Sequence, residues 1–123
     1  MKRVLLLIVL CLFPLIAHSE SAGEMLSNCR EVNQVLIAGE TITLPNTLSA
    51  ADCWGAFATL EFFTGLLNKE GKSLLPACLP ERSTRAQLIA VFVKYAEDNP
   101  RLHHVNFGAV AWNALVDAFP CPP

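Results

Sequence analysis

The residues whose types could support chemistry in this 123-residue chain are five cysteines, three histidines and a Gly71-Lys72-Ser73 triplet. His103 and His104 are adjacent, so on a helix their side chains point about 100° apart and do not grip one metal ion together. The triplet resembles the tail of a phosphate loop, but that loop needs its leading glycine where Leu66 stands and a strand before it. It reads as a turn. The sequence holds neither the G-x-S-x-G elbow of a serine nucleophile nor H-E-x-x-H. No catalytic residue, no metal ligand and no cofactor is therefore expected. Asp98, Asn99, Pro100 and Arg101 form a polar corner with two readings: a capped turn between helices, or a loop that enters a partner's cleft.

The cysteines point to export. Met1–Ser19 has a basic start (Lys2, Arg3), an apolar run from Val4 to Ile16 and small polar residues after it, with Ala17 and Ser19 placed for peptidase cleavage. This is the anatomy of a signal peptide, and about 13 apolar residues are too few to span a bilayer. Cys11 is preceded by Leu10 rather than a small residue and the apolar run continues past it, so a lipoprotein is not favoured. Losing Lys2 and Arg3 with the leader leaves 7 basic and 11 acidic residues, net −4. That balance argues against a nucleic-acid role, which wants clustered Lys and Arg. No second apolar run approaches membrane length, so the mature part, residues 20–123, is expected to be one soluble domain without membrane contact.

Cys29, Cys53, Cys78 and Cys121 remain, an even set typical of disulfides in a small secreted chain. Zinc would want short C-x-x-C pairs, and the intervals here are 24, 25 and 43 residues.

Four segments carry a helical period. Met25, Cys29, Val32 and Leu36 share one face of a helix over Glu24–Ile37, with Gly39 as its stop. Ser49 and Asp52 fit a capping box for a second helix. That helix is apolar on nearly every side (Trp54, Phe57, Leu60, Phe62, Phe63, Leu66, Leu67), which predicts a central, enclosed element with Glu61 at the rim. After a long connection, Thr84 and Gln87 open a third helix with a core stripe of Leu88, Val91, Phe92 and Tyr95, closed by Asn99-Pro100. A fourth runs from about His103 to Phe119. It places Phe107, Val110, Ala111, Ala114, Leu115 and Ala118 on one stripe and Val105, Trp112 and Val116 on a second line. That line either packs under the Asn68–Arg82 connection or stays exposed and mediates association.

The expected fold is all-α: a small antiparallel bundle of four helices, or five with a short extra turn. In that topology Cys78 and Cys121 fall at one end of the bundle, and Cys53 opens the second helix beside the far half of the first. The pairs Cys29–Cys53 and Cys78–Cys121 follow, each worth on the order of 3–4 kcal/mol in the chain-entropy account.

The ordered series Cys53-x-Gly55, Cys78-Leu79-Pro80, Thr84-x-x-Gln87-Leu88, Tyr95, Asn99-Pro100, Ala109, Ala114-Leu115 and Phe119-Pro120-Cys121 resembles the Rap/Tai family. These are exported immunity proteins of bacterial type VI secretion systems. The resemblance spans roughly Cys29 to the C-terminus. It implies a small helical periplasmic protein, typically a homodimer, whose protein partner is an effector amidase that cleaves peptidoglycan. Inhibition of that partner would be steric. The chain departs from the family pattern after Gly55, where Ala56 and Thr59 replace an aromatic residue and a second glycine. The matching residues are scaffold ones, so the partner surface is read from the chain itself: Asp98, Asn99, Arg101, His103 and Trp112. The alternative is a periplasmic small-ligand or envelope-stress module, with a ligand cavity among Phe57, Phe63 and Phe92. A third reading is a small hydrolase using His103 or His104.

Overall fold

Each helix among the described residues is started by a short polar side chain that takes an orphan backbone N–H. The computed structural model describes residues 19–37, 43–73 and 76–122. The expected signal peptide lies outside these apart from Ser19, as does Gly39. Four helices form among the described residues: α1 (Ala22–Ile37), α2 (Leu48–Thr64), α3 (Arg85–Asp98) and α4 (Phe107–Ala118). A single 3-10 turn, Pro100–Leu102, lies between α3 and α4 and is the short extra turn. No helix of the described residues is long and apolar enough to cross a membrane.

The capping box on α3 is as expected: Thr84 Oγ1 accepts from Gln87 N, and Gln87 Oε1 accepts from Thr84 N at 2.9 Å. The other starts differ from the sequence reading. Helix α1 opens earlier, on a reciprocal Ser21–Glu24 pair in which Glu24 Oε2 accepts from Ser21 N at 2.9 Å and Ser21 Oγ accepts from Glu24 N at 3.3 Å. Helix α2 is capped by Thr47, not Ser49: Thr47 Oγ1 accepts from Ala50 N and donates to Glu31 Oε2, both at 3.1 Å. A bond to another helix anchors that cap, and Asp52 is drawn instead to Asn28 Nδ2 at 2.9 Å. Helix α4 starts at Phe107 on an Asn106 cap, because the 103–105 backbone is committed to α1. His103 O accepts from Gly23 N at 2.9 Å and Val105 O from Ala22 N at 2.8 Å.

Helix α1 packs against all three other helices and against the 3-10 turn. Its face Met25, Cys29 and Val32 is buried as expected, joined by Ala22 and Leu26. Helix α3 buries Leu88, Ile89, Phe92, Val93 and Ala96, so the stripe is rotated from the expected one and leaves Val91 and Tyr95 only half-buried. Phe57, Phe92 and Phe107 meet at the centre with ring centroids 5.3–5.6 Å apart, in tilted and edge-to-face arrangements.

The expectation that α2 is the enclosed element is overturned. It buries only Ala50, Cys53 and Phe57, a single line facing α1 and α3. In a bundle this small it packs mainly on those two helices and reaches α4 through Phe57, so Trp54, Ala56 and Leu60 are half-buried and the large side chains Leu48, Phe62 and Phe63 stay exposed. Leu48 is 91 % exposed.

Both disulfides are those expected. Cys29–Cys53 joins α1 to α2 with both cysteines fully buried, and Cys78–Cys121 joins the approach to α3 with the end of α4. Beside the second, Cys78 N donates to Phe119 O at 2.8 Å.

Two glycines give opposite expectations. A Cβ on Gly23 would sit 3.1 Å from His103 Cβ and 3.2 Å from its carbonyl oxygen, whereas one on Gly55 meets nothing within 4 Å. Gly23→Ala should cost about 1–3 kcal/mol in urea unfolding, as overpacking does. Gly55→Ala, within α2, should gain about 0.5–1 kcal/mol from helix propensity.

Electrostatics at the start of α1 give a pH signature. Asn28 Nδ2 is shared between Glu20 Oε1 and Asp52 Oδ2, and burial, followed by the Asp52 and Glu24 carboxylates, raises the Glu20 pKa. A carboxyl raised on folding stabilises the fold while protonated, and that contribution is lost as pH climbs through its folded value. Glu20→Gln should therefore raise the thermal midpoint at neutral pH. The gain should vanish near about pH 3, where both side chains are neutral.

Candidate functional site

Three surface features could meet another molecule, and the helix ends position each. The first is the corner after α3. Asp98 Oδ2 holds Lys94 Nζ at 2.9 Å, which raises the Lys94 pKa, and Asn99 Nδ2 donates to Tyr95 O at 2.9 Å. Arg101 is exposed. The corner is thus a capped turn whose first two polar side chains bond to α3 itself. His103 follows as the residue ending the 3-10 turn, half-buried, with Nε2 2.9 Å from Ala96 O. A carbonyl oxygen only accepts, so Nε2 carries the proton. The ring and backbone of His103 fasten the end of α3 to the start of α1, while His104 is exposed.

The second feature is a groove between α3 and α4 of about 400 Å³, lined by Val91, Lys94, Tyr95, Asp98, Ala114 and Asp117. Trp112 lies half-buried on α4 and packs, with Val105 and Val116, against the core cluster. Phe57 and Phe92 are fully buried, and Phe63 is not. The first two close on Phe107, and Phe63 is 48 % exposed at the surface.

The third feature was not singled out from the sequence as a site. The C-terminal end of α2 leaves Phe62 65 % exposed beside Phe63, their rings edge-to-face at 5.7 Å, and Leu67 follows at 60 %. Leu67 pairs with Ser73 across a tight turn. Asn68 organises that turn: its Oδ1 accepts from both Glu70 N and Lys72 N at 2.9 Å, its N donates to Lys72 O at 2.8 Å, and its O accepts from Gly71 N at 3.0 Å. Gly71 closes the turn at φ 74°, a left-handed value that a side chain would strain. The Gly71-Lys72-Ser73 triplet is therefore part of a turn, as expected. Behind this edge, Arg85 binds Glu61 Oε2 through Nε and a terminal nitrogen, both at 2.9 Å, and lies 4.7 Å from the Trp54 ring centre. The exposed edge thus rests on an ion pair between α2 and α3. One signal was available in the sequence: an all-round apolar helix in a chain with too few partners to cover it.

The pattern of the Rap1a immunity proteins matches residues 21–121, from the cap of α1 to the last cysteine. Comparison with curated proteins and with solved structures finds no match. The match takes in all four helices, the 3-10 turn and both disulfides. The chain belongs to the Rap1a family of immunity proteins.

Proposed function

We propose that this chain is a periplasmic immunity protein that binds a type VI secretion effector, a peptidoglycan amidase, and inhibits it by occupying its cleft. The observation that carries the reading is the family match across residues 21–121, which supports immunity against a secreted effector and binding to that effector protein. Such a role is normally non-enzymatic. It asks for a rigid surface complementary to the partner, and rigidity here comes from two disulfides and a closed aromatic centre. The amidase and the type VI route rest on the resemblance carried by Cys53-x-Gly55, Cys78-Leu79-Pro80 and Phe119-Pro120-Cys121. Periplasmic placement rests on the leader-like Met1–Ser19 and on an even set of cysteines downstream of it. The family's homodimer is carried over on the same resemblance.

The test is direct. Mixed with a purified secreted peptidoglycan amidase whose gene adjoins its own, the protein should form a stable stoichiometric complex on size exclusion and abolish cleavage of peptidoglycan fragments. Undiminished cleavage at saturating protein, with no complex, contradicts the proposal.

A further inference from the structure

We infer that the edge formed by Phe62, Phe63, Leu67 and the Asn68–Lys72 turn is the surface that engages the effector, and that it fits a protein cleft with an apolar floor and an acidic rim. The inference rests on the immunity reading above and names the surface which that reading leaves open.

Three large apolar side chains in water on one helix end are an unfavourable way to finish a bundle, and on small domains such clusters mark association surfaces. Phenylalanine is also among the side chains enriched at the cores of protein interfaces, and here two stand together. The adjoining turn is fixed in advance by the four hydrogen bonds centred on Asn68, so little order remains to be imposed on binding. Its charge sets the partner's chemistry. Lys69 and Lys72 are exposed and take no part in the three ion pairs found among the described residues, while Arg30, Arg85 and Lys94 are each engaged. With Glu70 the tip is net positive, on a domain whose residues 20–123 sum to −4. A local positive tip on an acidic body is steered towards an acidic rim.

The same features speak against the other occupants. A bilayer with anionic headgroups repels a domain of this charge, two lysines supply only about 1 kcal/mol each against it, and lipid makes no use of a rigid turn. A second copy joined across a twofold axis sets one positive tip against another.

The experiment compares affinities for the adjoining secreted amidase, measured by surface plasmon resonance. The pair Phe62→Ser with Phe63→Ser should weaken binding by about 100-fold or more. Lys69→Glu with Lys72→Glu should slow association about tenfold at low salt, a difference that fades in high salt. All four positions are exposed, and near-wild-type thermal midpoints and circular dichroism verify the folds. Wild-type affinity in both pairs, or loss of affinity on Arg101→Glu alone, overturns the assignment while leaving the immunity reading intact. No binding by the wild-type protein removes the immunity reading, and this inference falls with it. Two controls complete the test with amidase affinity unchanged in the Phe62/Phe63 pair. Loss of binding to phosphatidylethanolamine–phosphatidylglycerol vesicles would reassign the edge to a membrane. A shift from dimer to monomer in sedimentation would reassign it to self-association. Either result overturns the inference.

Discussion

The first turn of α1 donates hydrogen bonds to a stretch of chain 80 or more residues further on, and the rest of the bundle is arranged around that fact. Ala22 and Gly23 donate their otherwise orphan N–H groups to Val105 and His103, and Phe107 N donates to Glu20 O at 2.9 Å. The start of α1 is thereby fixed against the start of α4 before any side chain is considered. Two turns further on, Cys29 is bonded to Cys53 and α2 is held to the same helix. On its remaining face, Arg30 reaches Glu97 of α3 at 3.1 Å. The backbone of residues 103–105 lies close against the first turn of α1, which accounts for the small residues Ala22 and Gly23 there. The exposed Arg30–Glu97 pair contributes little by itself. The closed core and the cross-links supply the stability.

How much of this was legible in the sequence depended on whether the deciding interaction was local. The Thr84–Gln87 box, the Asn99-Pro100 stop and the turn at Gly71-Lys72-Ser73 are set by residues within a few positions of one another, and pattern reading finds them. The disulfide pairing was legible too, because helix order alone brings the right cysteines to the same ends. The start of α2 was not: Ser49 offers a hydroxyl as good as that of Thr47, and the choice is made by Glu31 on another helix. His103 was read as the opening of α4, and its carbonyl turned out to serve α1 instead. The Ser21–Glu24 box could have been read from sequence and would have started α1 correctly.

The larger miss concerned α2, and it bears on function. Its composition says that the helix wants cover, but composition does not say whether cover comes from the same chain. Four short helices enclose one triad of rings, Phe57, Phe92 and Phe107, and have no surface left for Phe62, Phe63 and Leu67. A protein selected only for its own stability has little reason to keep paired phenylalanines there. One that must recognise another protein does. The same physical division runs through the candidate site residues. Asn99 and His103 bond inward, and Trp112 leans on the core, so each contributes to the scaffold whatever else it does.

The central claim is that a scaffold fastened through α1 presents the end of α2 to a protein partner without itself rearranging. Amide hydrogen exchange, followed by mass spectrometry on the protein with and without the secreted amidase, reads both halves of that claim at once. The account requires slowed exchange confined to residues 62–72, with the protection of α1 the same in both states. Unchanged exchange across 62–72 in a formed complex, or a loosening of α1 on binding, would contradict it.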